Sequence, residues 1–244
     1  MKFLTSFFIG FVIGICAGLI VKGQLLDLYL TSFLPAIATL IGAFVAAFYG
    51  AKFAFQFQKD KELEENKKRN IVNGNKAIFD LKRMTDRLMN YQKDIINPCR
   101  ERETVAFIVM PATPQLDKND IKLKIEELYF LLESDDKNLL AEICLEEERY
   151  KICLDVINLR SQFHFEAQQL LERNGIELYT NYSLDETSAA LGLRLYDTLQ
   201  GATKQVIENV DSAIKTHKQI IEKLRESLQR LYPDGKFIRI RFPQ

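Results

Sequence analysis

The sequence lacks the motifs through which most enzymes hold a phosphate, a metal ion or an activated nucleophile. It contains no P-loop and no GxGxxG, HExxH or GxSxG motif, so it offers no recognisable phosphate cradle, dinucleotide site, zinc site or nucleophile elbow. It has only 2 histidines and no tryptophan. We therefore predict that the protein is not an enzyme and uses neither a metal nor a cofactor.

Cysteine and net charge are also low. The 4 cysteines form no Cys-x-x-Cys pair and have no histidine at zinc-finger spacing; they are Cys16, Cys99, Cys144 and Cys153. Cys144 and Cys153 are interpreted as small apolar residues of a helical core, a usage typical of a reducing cytosol. The formal net charge is +0, which excludes a strongly basic nucleic-acid footprint over the whole chain.

Two long hydrophobic stretches dominate the N-terminal part, Phe3 to Val21 and Leu28 to Ala51. Each is long enough to cross a bilayer, which takes about 20 apolar residues. The first is too long for a typical signal-peptide core, and no Ala-x-Ala site follows it. Neither contains Asp, Glu, Arg or His, so a charge-lined ion path or a proton relay is not expected. The pair predicts a transmembrane helical hairpin.

Basic residues follow the second stretch; they are Lys52, Lys59, Lys61, Lys67, Lys68 and Arg69. Basic residues near a membrane end stay on the cytoplasmic side. Both termini are therefore predicted to be cytoplasmic, with the turn of the hairpin facing outward.

Small residues recur at every fourth position in both stretches. They are Gly10, Gly14 and Gly18 in the first, and Ala38, Gly42, Ala46 and Gly50 in the second. In lipid, such ladders let helix backbones approach closely and pack. Two interpretations stay open: the helices pack on each other within one chain, or one ladder serves the hairpin and the other a neighbouring subunit.

The rest of the chain is predicted to be mostly helical, which suggests three parts: a hairpin over 1–56, a juxtamembrane stalk helix over 57–97 and a cytosolic helical domain over 98–244. Gly74, between two asparagines, is predicted to break the stalk helix. Asn97-Pro98 is predicted to end it, because the residue before proline disfavours helical geometry.

Within the cytosolic domain, apolar spacing predicts a helix over 121–132 and a long helix over 137–173, which ends at Asn174-Gly175. A capping box at Ser183 opens a last helix that runs to Leu231. Its second half has a heptad seam, expected to pair antiparallel with helix 137–173 or with a second subunit. His217 lies on this seam, where it would set the register or act as a pH-sensitive point.

Two short segments are rich in β-branched or alternating residues, Thr104 to Met110 and Phe237 to Phe242. They are predicted to form a small two-stranded sheet on the helical body. Arg239 and Arg241 would line its polar face, as a solvated edge or as a contact for an acidic or nucleic-acid partner. The predicted fold is thus an all-α membrane protein with an antiparallel helical cytosolic domain and this small sheet.

Arg160 and His164 share the core stripe of helix 137–173, one turn apart. Buried polar groups need partners, so we expect a structural network with a carboxylate such as Glu126 or Glu127. A ligand or partner site is the alternative. One histidine and one arginine without a nucleophile do not make a catalytic site.

The segment Glu126 to Gln168 (EELYFLLESDDKNLLAEICLEEERYKICLDVINLRSQFHFEAQ), behind a membrane pair and a stalk, resembles the small two-transmembrane effectors of bacterial anti-phage systems, particularly those paired with retrons. The resemblance implies an inner-membrane toxin that contacts membrane lipid and is held silent by a reverse transcriptase with its RNA–DNA product. It also implies membrane disruption and abortive infection on release, and it transfers no catalytic residue. A homo-oligomer would fit this role. The alternative function is a membrane-anchored coiled-coil scaffold or sensor that recruits cytosolic partners.

Overall fold

The computed structural model describes residues 34–176 and 183–242, and only the backbone of Glu103. The first hydrophobic stretch, with Gly10, Gly14 and Gly18, lies outside these residues. By internal contacts the chain divides into two compact units, Met1–Glu65 and Asn66–Gln244. The predicted stalk, 57–97, contributes residues to both units.

The described residues form helices joined by irregular segments and include no strand, which confirms the prediction of an all-helical fold. The α-helices are α1 (Leu34–Tyr91), α2 (Asn97–Arg100), α3 (Ala106–Val109), α4 (Leu139–Arg173), α5 (Leu184–Leu191) and α6 (Leu193–Leu231). A π-helical turn spans Gln92–Ile96, and 3₁₀ helices span Glu103–Val105 and Ile125–Glu133.

The core of the second unit lies between α4, α6 and the C-terminal part of α1. Lys223 contacts Glu142 near the start of α4, and Thr203 contacts Arg160 much further along it. The two helices therefore run antiparallel, and the predicted intramolecular pairing is confirmed. Each large aliphatic side chain buried between them contributes about 1.5–3 kcal/mol.

Gly74 does not break the helix. It lies inside α1 and is buried, and a Cβ built on it would lie 2.8 Å from the terminal methyl carbons of Leu228 in α6. The prediction of a break is therefore wrong. Glycine leaves room here for the buried side chain of Leu228, which would have to shift if residue 74 carried a Cβ.

Asn97-Pro98 does not end the helical path either. The π-helical turn Gln92–Ile96 follows α1 directly and leads into α2, and Pro98 lies in the first turn of α2. A proline is tolerated in a first turn because its missing N–H would have no partner there. The predicted stop at this proline is therefore wrong.

The ends of α4 and the start of α5 follow their local signals. Asn174 caps α4, and Gly175 has a φ of +72°; Gly175 N–H donates to the Glu172 carbonyl and Ile176 N–H to the Leu171 carbonyl. This is the Schellman arrangement. At α5 the predicted capping box between Ser183 and Glu186 is present.

The predicted last helix is divided in two at Gly192, where a φ of +73° separates α5 from α6. A backbone at positive φ cannot continue a right-handed helix. The seam of α6 begins only after this break.

The predicted two-stranded sheet is wrong. Thr104 to Met110 folds into a 3₁₀ turn and α3, where Phe107 and Met110 are buried. Phe237 to Phe242 has no regular secondary structure, lies against helices and has no strand partner among the described residues. Packing of apolar side chains outweighs β propensity here. The helix expected over 121–132 is the 3₁₀ helix Ile125–Glu133 instead.

Candidate functional site

The N-terminal part of α1 is apolar and exposed. No charged residue occurs from Leu34 to Ala51, and this is the one helix in the described part of the chain long and apolar enough to cross a membrane. Its large exposed side chains include Leu34, Leu40, Phe44, Phe48, Phe53, Phe55 and Phe57. In water such a surface is unfavourable by about 25 cal/mol for each Å² left exposed.

The small-residue ladder of the second stretch follows one side of this helix. Ala38, Gly42, Ala46 and Gly50 are all exposed. A Cβ built on Gly42 or Gly50 would meet no atom of the described residues within 4 Å. The other ladder, at Gly10, Gly14 and Gly18, lies outside the described residues.

The second unit contains a buried polar network, in which the guanidinium of Arg160 is fully buried. It donates to the carbonyl oxygens of Phe107 at 3.0 Å, Met110 at 2.5 Å and Pro111 at 2.8 Å. Its Nε donates to the Thr203 hydroxyl at 3.3 Å. Burial lowers the pKa of Arg160 to about 10, so the group remains charged near neutral pH.

The acceptors of Arg160 are therefore backbone carbonyls rather than the carboxylate of Glu126 or Glu127, and that expectation is wrong. Glu127 instead pairs with Lys76 and Lys124, each at 3.2 Å. The carbonyls of Phe107 and Met110 belong to the end of α3 and its cap. Carbonyls at a helix C-terminus carry partial negative charge, so Arg160 fastens α3 to α4 by capping it.

His164 completes this network. Arg160 Nη2 lies 3.3 Å from His164 Nδ1, and because arginine can only donate, Nδ1 must accept. His164 is consequently neutral. Burial, and then the charge of Arg160, lowers the pKa of His164 to about 4. The imidazole therefore stays neutral near pH 7 within this buried network.

His217 forms a separate buried contact, 14 residues further along α6 than Thr203 and about 21 Å away along the helix. Its Nε2 lies 3.0 Å from the carbonyl oxygen of Glu146, and its Nδ1 lies 3.4 Å from the Thr85 hydroxyl. Burial lowers the pKa of His217, and the nearby Glu146 opposes the shift. The residue thus contacts α1 and α4 from its position on α6. The structure therefore places Arg160 and His164 together and His217 apart from them.

The thiols of the second unit are not activated. Burial raises the pKa of Cys99 and of Cys144 above the usual range, and raises that of Cys153 to about 12. A nucleophilic cysteine needs a lowered pKa. Among the described residues no group of three or more His, Cys, Asp or Glu side chains could hold a metal ion.

Arg239 and Arg241 are exposed on the irregular C-terminal segment, residues 236–242. That segment is held by Asn75 of α1, whose Nδ2 donates to the Lys236 carbonyl at 2.9 Å and whose Oδ1 accepts from Ile238 N–H at 2.8 Å. Sequence reasoning missed Asn75, since nothing local marks an asparagine in a helix as a backbone clamp. Both arginines are exposed, and the charge of Arg239 contributes to lowering the pKa of Glu222.

Compared with known proteins, the chain matches no protein-family model, no curated protein and no solved structure.

Proposed function

We propose that the chain is a bacterial inner-membrane effector of an anti-phage system, which disrupts or depolarises the membrane when a cytosolic partner releases it. The observation that carries the proposal is the uncharged apolar part of α1, whose small-residue ladder at Ala38, Gly42, Ala46 and Gly50 is exposed. The chemistry of the second unit supports the same proposal, because its buried arginine and histidines are engaged in packing contacts and its thiols are not activated.

The proposed mechanism is packing between membrane helices. The apolar segment has no ionisable side chain from Leu34 to Ala51, so a relay of charges along it is not available. Small residues let backbones come close in lipid, where the hydrophobic effect does not drive association. Clustering of these ladders between copies would open a leak between them.

The proposed partner is a reverse transcriptase with its RNA–DNA product, as the resemblance implies. Arg239 and Arg241 support it in one respect: both are exposed, and arginine binds phosphate oxygens with paired hydrogen bonds. If a reverse transcriptase is encoded beside this gene, co-expressing it with its RNA is expected to restore growth of cells that produce the effector. No rescue, and no such gene beside this one, would contradict the choice of partner.

Substitution in the ladder tests the mechanism. Gly42→Leu places a large side chain on the packing face and is expected to abolish growth inhibition and depolarisation, reported by a potential-sensitive dye. The matched control is Ala47→Leu, about 140° around the same helix, which adds similar bulk and is expected to remain toxic. Equal toxicity of both variants, at equal amounts in the membrane fraction, would overturn the packing mechanism.

The second candidate function is a membrane-anchored scaffold or sensor. It is favoured by α1, a single helix that contains both the apolar segment and residues of the second unit. Replacing residues 1–51 with an unrelated two-span hairpin that lacks small-residue ladders separates the two functions. An anchor tolerates the exchange and keeps its activity. An effector that acts through its own hairpin loses toxicity.

A further inference from the structure

A groove lies in the second unit between α6 and the segment that contains α2 and α3. Its volume is about 860 Å³, and small-molecule sites in proteins occupy about 300–1,000 Å³. The apolar part of its lining is formed by Cys99, Ala106, Phe107 and Ile207. We call it the α3–α6 groove.

Gly201 keeps the α3–α6 groove open. It lies in the interior of α6 and lines the groove, and a Cβ built on it would meet no atom within 4 Å. Glycine is unfavourable inside a helix, and no close contact among the described residues requires it here. Its missing side chain leaves space in which the apolar body of a ligand can lie against the helix backbone.

The floor of the groove at Cys99 is surrounded by positive charge. Burial raises the pKa of the Cys99 thiol, and the charges of Arg160 and Arg102 oppose this. The acceptors of Arg160 among the described residues are carbonyls, a hydroxyl and an imidazole, none of which is an anion. A buried cation without a counter-charge attracts an anion strongly, because the protein interior screens charge poorly.

The rim of the groove, in contrast, carries both signs of charge. Arg100 binds Asp211 at 2.6 Å, and Lys204 lies 3.9 Å from Glu208. Asp197 adds a further carboxylate to the rim. An anionic group is therefore favoured on the floor and not at the rim, so a ligand with one charged end would enter with that end first.

A buried donor without an acceptor lies close to this floor. Tyr91 is 9% exposed, and its hydroxyl has no hydrogen-bond partner among the described residues. Burial raises the pKa of Tyr91 to about 12, and Arg160 and Cys99 are the titratable groups that act on it. A buried hydroxyl without a partner is uncommon in folded proteins. The π-helical turn Gln92–Ile96 begins directly after Tyr91, and such turns are frequent at functional sites.

We propose that the α3–α6 groove binds a small organic acid. Its apolar body lies over Gly201, and its anionic group lies on the floor beside Cys99, where it accepts a hydrogen bond from the Tyr91 hydroxyl. Carboxylates and phosphate monoesters both fit this description, because both present charged oxygen acceptors. The site belongs to the second unit and does not depend on the proposed effector function.

Isothermal titration calorimetry of the purified full chain in detergent tests the site, with phenyl phosphate and benzoate as probes and protein-free micelles as the blank. At least one acid is expected to bind saturably with a Kd of about 1 mM or below. Phenol has the ring without the charge and inorganic phosphate has the charge without the ring, so each is expected to bind at least about 10-fold more weakly. No saturable binding of either acid, or equal binding of phenol or inorganic phosphate, would overturn the proposal.

Substitutions locate the binding. Gly201→Leu fills the groove and is expected to weaken binding at least about 10-fold. The matched control Gln219→Leu, at an exposed position on the same side of α6 about 27 Å further along, is expected to bind like the wild type. Tyr91→Phe is expected to weaken binding about 5-fold without lowering the midpoint of thermal unfolding, because the hydroxyl has no partner in the free protein.

Wild-type affinity in either Gly201→Leu or Tyr91→Phe would overturn the proposed site, and circular dichroism verifies that both variants are folded. The calorimetry uses neither toxicity nor membrane potential. The ligand site can therefore fail while the proposed effector function stands, and the reverse.

Discussion

Arg160 donates from Nη2 to Nδ1 of His164, one turn further along α4, across 3.3 Å. The same guanidinium binds three backbone carbonyls near the end of α3. A buried cation thus replaces the backbone hydrogen bonds that an irregular segment cannot make for itself. The network holds 106–111 against the long helices, and its consequences can be measured.

Removing the buried guanidinium is expected to destabilise the protein strongly. Arg160→Met keeps an apolar chain of similar length but leaves several buried carbonyls without donors, a loss of about 3 kcal/mol in the free energy of unfolding. Guanidinium unfolding of the full chain in detergent, followed by circular dichroism, measures it. The control Arg194→Met, at an exposed position, is expected to change stability by less than about 0.5 kcal/mol. Similar effects of both variants would show that the network is not stabilising.

Stability is expected to fall in mild acid because of His164. Its pKa is about 4 in the folded protein and about 6.5 when unfolded. The stabilisation is therefore complete above pH 6.5, and it is lost as the pH falls from 6.5 toward 4, where only the unfolded chain binds the proton. Between pH 7.5 and pH 5 the loss amounts to about 2 kcal/mol.

The variant His164→Gln isolates this contribution, since glutamine can still accept from Arg160 but does not titrate. Over the same pH range the free energy of unfolding of the variant is expected to fall about 2 kcal/mol less than that of the wild type. His217 and the carboxylates are present in both proteins, so their contributions cancel. Parallel pH profiles for the two proteins would contradict the assignment of His164 as neutral in the fold.

Adding one methyl group at Gly74 is expected to destabilise the contact between α1 and α6. Alanine is favoured over glycine in a helix by about 1 kcal/mol, but the new Cβ would lie 2.8 Å from the buried Leu228 side chain, and overpacking costs about 1–3 kcal/mol. Gly201→Ala is the matched control, because a Cβ there meets nothing within 4 Å, and it should stabilise. In a Leu228→Ala background Gly74→Ala should stabilise as well. A stabilising Gly74→Ala in the wild-type background would contradict the close approach.

Loss of the Asn75 amide is expected to release the C-terminal segment. Asn75→Ala removes both hydrogen bonds to 236–238, worth about 1–1.5 kcal/mol together when partly exposed. Limited trypsin digestion of the full chain should then cleave after Lys236, Arg239 or Arg241 about 5–10-fold faster. The control Asn73→Ala removes a comparable bond to the Glu127 carbonyl and should leave these sites unchanged. Unchanged cleavage in Asn75→Ala would show that packing of Phe237, Ile240 and Phe242 alone holds the segment.

Features governed by local signals could be predicted from the sequence. The end of α4 at Asn174-Gly175, the capping box at Ser183 and the antiparallel seam of α6 all depend on residues within a few turns, and the structure confirms each. The acceptors of Arg160 could not be predicted, because they depend on where 106–111 lies against α4. The break at Gly192 was missed because one glycine inside a helical pattern is usually tolerated.

Other errors came from rules that the tertiary structure overrides. Gly74 between two asparagines predicts a helix break, whereas in the structure its lack of a side chain serves helix packing. Pro98 predicts the end of the helix, whereas a π-helical turn before it leads directly into α2.

The most direct test of the proposed effector function is the membrane potential of liposomes that contain only the purified full chain. Without a partner to restrain it, the wild type is expected to collapse a valinomycin-induced potassium potential within minutes. The Ala47→Leu protein should do the same, and the Gly42→Leu protein should leave the potential intact. A potential that persists in liposomes containing inserted wild-type protein would contradict the account.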